Sequence, residues 1–495
     1  MLEKVDGNIN VQKLRAILLL EADFNAMHKI IFNNRLMPRI EADNAIPMEI
    51  IGGRRSQAAT HLALNKKLIA DIANVRKLPT ATICADATNC YNRVAHPFAS
   101  LCAQYFGLEI TYLTILFRAI QSMKMFLRTS HGISTTYYSD TIGQPFQGVV
   151  QGSGAAPALW LIISIFLVRY LYKKKVTTEI TSPISRAILP LAALIFVDDT
   201  DLYVFNSGTD SAEEVVRKAQ HLLDAWHEIL KVTGGDLKLS KCYWTLQDYQ
   251  WKQGKCKMIT NTTHKLHIVE DGHRKEIPHL QANKTRVLVG VPINLCHEEA
   301  QIVTMFKEKS QTYIDRLAVS KLRPGDIMFG YQHYWWPSLK YPTPVLSLAP
   351  NLNVLDKLHA ALLPKLGVMK SFPTVMRGIP TYFGGLDLHL AEVEALVQAI
   401  HHFISLYEAE TPTRSLLQIL IEYHQLEIGS NRQLFTLSYG TFGHLATNTW
   451  ITSLWQHTSH YHLQIALPPL NLQIAQQDGD RFITDTAQSL GFKQD

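Results

Sequence analysis

The sequence has little of what would place it outside an ordinary folded interior. Its 495 residues hold six cysteines (Cys84, Cys90, Cys102, Cys242, Cys256 and Cys296) and no CxxC pair. That spacing offers neither a disulfide framework nor a structural zinc site, and it fits a reducing, intracellular compartment, nucleus and/or cytoplasm. The opening run MLEKVDGNINVQKLR lacks the apolar centre of a secretory signal. The longest apolar stretch, residues 158–168, stops at Arg169. It falls short of the roughly 18 residues a membrane span needs, so no membrane is expected. No repeat or low-complexity block occurs, and charge of either sign is sparse. Lys and Arg number 48 against 42 Asp and Glu, a net +6 on a chain that is 18% charged. This excludes wholesale disorder and a basic tail, and suits a polyanion-binding face on a folded body.

What is present is apolar and patterned. At 47% hydrophobic the chain can bury the cores of roughly three units of about 150 residues. LRAILLLEADFNAMHKIIFNNRLM has helical spacing through Phe24, His28, Ile31 and Leu36. KLPTATICADATNCYNRV reads as a β-branched strand ending on Asp86, with Tyr91 on strand beyond it. Residues 148–172 give a glycine-rich loop and an apolar helix, and 194–205 give strand, acidic turn, strand. Asp210 or Ser211 then caps a helix whose Val215, Ala219, Leu222, Trp226 and Ile229 share one face, and Gly234-Gly235 stops it. This alternation predicts an antiparallel sheet backed by helices, an α+β fold. Beyond Gly290 helical patterns dominate. A last helical region at 391–406 precedes a polar tail that predicts little.

The sharpest chemical feature is IFVDDTDLYVF, which sets Asp198 and Asp199 side by side at a hairpin tip. Paired aspartates in a turn are commonly just solvated. Between buried strands, however, two adjacent carboxylates repel, and a divalent cation relieves them. Asp86, at the end of another apolar strand, is a third candidate. Hard oxygen ligands of this kind suit Mg²⁺. In QGSGAAP, Ser153 follows no clear strand and no ordered His/Asp partner emerges, which argues against a hydrolase nucleophile. Gly152 and Gly154 are read instead as sites where backbone approaches a base pair closely. His457, His460 and His462 lack a Cys or carboxylate companion for a metal site.

Five segments in order carry a family resemblance: CADATNCYNRV, GVVQGSGAAP, FVDD, GGDLKLSK and VLVGVPI. Together they resemble the motifs of reverse transcriptases of the non-long-terminal-repeat, LINE-like retrotransposon type, from about Leu14 to Val291. The resemblance implies a right-hand polymerase with fingers, an antiparallel palm sheet backed by helices, and a helical thumb. It implies partial fingers in 1–80, palm in 81–295, thumb in 296–370 and a helical extension of unknown role in 371–495. Asp86, Asp198 and Asp199 would be catalytic Mg²⁺ ligands, and Tyr91 a gate against a ribose 2′-OH. Gln151 and Gly152 would face nucleotide and template, and Lys238 or Lys241 would protonate the departing pyrophosphate. Arg15 would grip the incoming triphosphate, Arg54 and Arg55 would meet template phosphates, and Gly290 would lie in the primer grip. The implied partners are an RNA template, a DNA primer and dNTPs. The long interval from Asp86 to Asp198 implies insertions flanking the second motif. The implied activity is RNA-directed DNA polymerisation, a nucleotidyl transfer. The alternative is a catalytically inactive remnant that binds nucleic acid, and an RNA-templated RNA polymerase is disfavoured by Tyr91.

Overall fold

A computed structural model of the protein describes residues 17–88, 90–129, 132–140, 146–270, 272–347, 352–430, 432–467, 486–487 and 489–491, and the backbone of 2–3 and 14–15. The Arg15 side chain therefore lies outside the described residues. A five-stranded sheet organises the rest. Its strands are β1 (Thr80–Cys84), β2 (Ala193–Phe196), β3 (Asp199–Phe205), β4 (Tyr243–Lys252) and β5 (Lys255–Ile259). They lie in the order β5-β4-β1-β3-β2, every neighbour antiparallel. Thr82 sits between Tyr203 on one side and Thr245 on the other.

The period-2 alternation of the strands divides the molecule into two cores. Ala81, Ile83, Leu202, Val204, Trp244 and Leu246 face helices α2 (Ala156–Lys173) and α3 (Ala212–Val232). Leu194, Tyr203 and Phe205 face α1 (Ala59–Arg76). The result is the mixed helix and antiparallel-sheet architecture that the sequence implies. α3 starts as its sequence predicts: Ser211 is the cap, its Oγ accepting the Glu214 N–H at 3.2 Å, and Val215, Ala219, Leu222, Trp226 and Ile229 are all buried. α2 is longer than its apolar run suggests. It continues past Arg169 to Lys173 and by length and composition could cross a membrane, but two thirds of it is buried in the protein.

The core over α1 also takes in α4 (Glu299–Val319), α5 (Ala391–Glu408), α6 (Pro412–Ile428) and α7 (Trp450–His460). The polar tail is thus helical over 412–428 and 450–460, and these helices join the core over α1. α6 packs along α1 and inserts Glu422, fully buried, under the loop at 182–185. There the Glu422 carboxylate accepts the Ser182 hydroxyl and the backbone N–H groups of Ile184 and Ser185. α1 itself carries buried Lys66, Lys67, Asp71 and Asn74. Each meets a partner brought from far along the chain, as buried ions must. Lys67 meets Glu299 at 3.1 Å, Asp71 meets His297 at 2.7 Å, and the Trp450 N–H donates to Asp71 at 2.7 Å.

Candidate active site

The site is built at one end of the sheet by register. Cys84 pairs with Asp201, and the Ala85 N–H donates to the Thr200 carbonyl at 2.8 Å. The paired register ends there, and Asp86 follows directly after Ala85, near enough for its charge to act on Asp199. On its other side Asp86 is pinned by the 236–238 segment: its carbonyl accepts the Lys238 N–H at 2.8 Å, and Ala87 bridges Leu237. Phe196 pairs with Asp199, leaving Val197 and Asp198 as the two residues of a tight hairpin with Asp198 exposed at its tip.

The turn is strained and supported. Val197 has φ +60°, a region a β-branched residue rarely enters. Trp160, from α2, donates its indole N–H to the Val197 carbonyl at 2.7 Å. Beneath the turn, Ile51 and Gly52 donate to the Ile195 carbonyl. A Cβ on Gly52 would stand 2.5 Å from the Val197 nitrogen, so only glycine lets this chain pass under the hairpin.

Electrostatically the strand ends are frustrated. Burial, then the charges of Asp198, Asp201 and Asp86, push Asp199 from 3.8 up to about 6, with Lys241 opposing. Lys241 donates to Asp86 Oδ2 at 2.8 Å, and that bond, helped by the charges of Asp86, Asp198 and Asp199, raises its pKa. Of the two candidate lysines, Lys241 is therefore the one on the carboxylates, whereas Lys238 contributes its backbone. Asp201, one step behind Asp199 on the same face, is fully buried against Lys66 at 2.7 Å. Although burial opposes the Lys66 charge, Asp201 holds it protonated above its ordinary pKa.

Among the described residues no group of three or more His, Cys, Asp or Glu side chains is close enough to hold a metal ion. The three aspartates share one sheet end without forming a closed cage. Asp198 projects from the tip and the Asp86 carboxylate is held by Lys241. The donor set still fits Mg²⁺, which takes one or two carboxylates and completes its shell with water and phosphate oxygens.

Tyr91 departs from expectation in its local structure. It lies in a short helix, Cys90–Arg93, and not on a strand. It remains at the site: its ring is 6.2 Å from that of Trp160, and burial, then Cys90 and Asp198, raise its pKa. The glycine-rich loop fixes it from behind, because the Val149 N–H donates to the Tyr91 carbonyl at 2.7 Å and a Cβ on Gly148 would stand 2.6 Å from that oxygen.

The close approaches at Gly152 and Gly154 are to the chain's own residues. The Leu18 N–H donates to the Gln151 carbonyl at 3.0 Å, and a Cβ on Gly152 would stand 2.2 Å from the Leu18 oxygen. Gly154 donates to Asn25 Oδ1 at 2.6 Å. Both glycines admit the chain's own N-terminal segment, while the Gln151 side chain stays half-buried. Ser153 does have a histidine: His28 Nδ1 lies 3.0 Å from its Oγ. Both are buried, and His28 Nε2 finds no partner among the described residues, so the pair ties the N-terminal helix to the loop and exposes no nucleophile. Arg54 is half-buried, donates to the Ile50 carbonyl and is lowered by burial, and Arg55 is exposed with its backbone N–H on Glu41. Gly290 (φ +84°) and Val289 (φ +44°) make the two-residue turn between β6 (Arg286–Leu288) and β7 (Val291–Ile293), where the Tyr341 hydroxyl donates to the Val289 carbonyl. That turn needs left-handed backbone at both positions.

Sequence reasoning missed Trp160, Lys66 and Asp201. A tryptophan inside an apolar helix carries one signal, an N–H that must find an acceptor. Asp201 was visible as the second step of the DxD alternation.

No protein-family model and no curated protein matches the chain. Among solved structures it is similar to telomerase from Candida tropicalis in complex with the TWJ fragment of telomeric RNA, at 11% identity over 80% of this chain and 56% of that one, with a TM-score of 0.36. It is also similar to the corresponding complex from Candida albicans, at 11% identity over 82% and 55%, with a TM-score of 0.32. The chain thus spans about half the length of the telomerases it matches. A likeness at that level carries no argument about function, which rests on the site itself.

Proposed function

We propose that the chain is an RNA-directed DNA polymerase of the non-long-terminal-repeat retrotransposon type, joining dNTPs to a primer 3′-OH on an RNA template. One observation supports this: Asp86, just past the end of β1, acts on Asp199 at the start of β3, with Asp198 at the adjoining tip and Lys241 against Asp86. Asp86, Asp198 and Asp199 would hold Mg²⁺, which when bound would favour the ionised primer hydroxyl and neutralise the triphosphate. In the transfer the primer 3′-oxygen bonds to the α-phosphorus, the bond to the pyrophosphate oxygen breaks, and the hydroxyl proton leaves to solvent. Lys241 would give pyrophosphate its proton, and Tyr91 would crowd a 2′-OH. Arg54 and Arg55 would lie along template phosphates, Gln151 and Gly152 behind the nucleotide, and Gly290 near the primer end. In this assignment 1–80 are partial fingers, 81–295 palm, 296–370 thumb and 371–495 a helical extension of unknown role, in a protein of nucleus and/or cytoplasm.

The Lys241–Asp86 ion pair favours a second reading, a non-catalytic nucleic-acid-binding remnant, because the lysine already supplies the charge a metal would. Primer extension with Mg²⁺ separates the two. On the polymerase reading Asp198→Ala lowers dNTP incorporation about 10²–10³-fold or more and leaves duplex binding intact. Salt-sensitive binding with no extension by the unaltered chain at any Mg²⁺ concentration would establish the remnant instead.

A further inference from the structure

Between Asp86 and the glycine-rich loop the chain sends out a two-stranded ribbon, Met125–Thr129 paired with Gly132–Tyr138. No other strand is hydrogen-bonded to it among the described residues. Its side chains are the wrong kind for an idle surface. Phe126 is 52% exposed, Tyr137 48%, Tyr138 70% and Ile133 64%. An exposed pair of rings such as Phe126 and Tyr137 marks a place where something binds.

The arrangement says what kind of partner. Phe126 and Tyr137 are directly opposite in the pairing, so their rings share one face, 5.7 Å apart. Lys124 stands over the Tyr137 ring at 4.7 Å, and Arg128 follows two residues after Phe126. From Ile110 to Ser139 the sequence contains no Asp or Glu, while Arg118, Lys124 and Arg128 all carry positive charge. A protein partner is served by aromatics with mixed charge. Aromatics with Lys124 and Arg128 beside them complement a polymer with flat faces and a negative backbone.

We propose that this ribbon is a stacking platform for single-stranded nucleic acid, with Phe126 and Tyr137 receiving bases and Lys124 and Arg128 the adjoining phosphates. The platform lies outside the carboxylate site and needs neither metal nor nucleotide. It depends on the polymerase reading only for the class of ligand, and a chain that never extends a primer can still possess it.

The test uses the full chain and a fluorescein-labelled oligouridylate of about a dozen nucleotides, without Mg²⁺ or dNTP, read by fluorescence anisotropy. Phe126→Ala and Tyr137→Ala should each weaken binding roughly 10-fold, and Phe126→Leu, which keeps apolar area but loses the stack, should weaken it nearly as much. Lys124→Gln with Arg128→Gln should flatten the dependence of affinity on salt. Photo-crosslinking of a 4-thiouridine oligonucleotide to the unaltered protein should map to Phe126 or Tyr137, which covers the case of a variant that misfolds. Unchanged affinity in the alanine variants, or crosslinks confined to other segments, would overturn the proposal. So would concentration-dependent self-association or binding to neutral lipid vesicles that the same substitutions abolish, since the ribbon would then serve a second copy or a bilayer.

Discussion

Asp199→Asn should make the protein more stable near neutral pH, although it alters the centre of the candidate site. Burial and three neighbouring carboxylates raise Asp199 from 3.8 to about 6, so its ionised form is disfavoured in the folded chain. Each tenfold change in proton affinity corresponds to about 1.4 kcal/mol, which puts the full penalty at about 3 kcal/mol. Asp199 is only partly buried, and solvent screening reduces this to roughly 1–1.5 kcal/mol. The sign follows from linkage. A group whose pKa is higher in the folded state favours folding while protonated in both states, below about 3.8, and loses that contribution as pH rises through about 6. The advantage of asparagine should therefore be complete above pH 6 and vanish as pH falls towards 4. Urea melts at a series of pH values, without divalent cations, read it directly. Adding Mg²⁺ should then stabilise the unaltered protein more than the variant. A variant no more stable at neutral pH, or one whose gain persists at pH 3, would refute the electrostatic account of the strand ends.

Two other perturbations address the supports of the site. Gly52→Ala places a methyl group 2.5 Å from the Val197 nitrogen. The backbone must shift, costing about 1–3 kcal/mol in a thermal or urea melt; an unchanged midpoint would mean that the segment under the hairpin is free to move. Tyr91→Ala should admit rNTPs in primer extension while dNTP use continues, and strict exclusion of rNTPs by the variant would place the gate elsewhere.

The sequence revealed most where local patterning and chemistry coincide. The 194–205 hairpin was legible because alternation and the paired aspartates agree, and α3 because its cap, apolar face and Gly234-Gly235 stop all point one way. Gly234 has φ +89°, and a Cβ there would stand 2.2 Å from the Arg93 carbonyl. The tail was illegible because its helices bury polar side chains. Glu422, His424 and Gln425 of α6 are all buried, and Glu422 finds its partners some 240 positions away. His424 meets Thr449 at 2.7 Å and Glu427 at 2.8 Å. Periodicity counts such residues as surface, and only the tertiary fold shows them satisfied. The glycine-rich loop failed differently. Its need for close approach was readable, but the approaching chain, Leu18 and Asn25, was not, because spacing in a sequence does not name a partner.

Three unfavourable terms meet at the same strand end. Val197 holds a backbone conformation costing about 1–3 kcal/mol. Asp199 is ionised against its surroundings, and Lys66 and Asp201 are buried as ions. Replacing such a buried pair by apolar residues is often neutral or stabilising, so stability alone does not account for its presence. Its position does: Asp201 adds negative field at Asp199, and Lys66 compensates that charge from the far side, under the sheet, without entering the site. The surroundings hold the strain in place instead of relieving it. Trp160 satisfies the Val197 carbonyl, Gly52 leaves room for its nitrogen, and the Ala85 N–H on the Thr200 carbonyl holds the chain at Asp86 beside β3. A fold selected only to persist would discard these costs one substitution at a time. On the proposed polymerase reading, their convergence at two carboxylates and a turn would serve a cation and a polyphosphate, because donors fixed in advance need no reorganisation when that charge arrives.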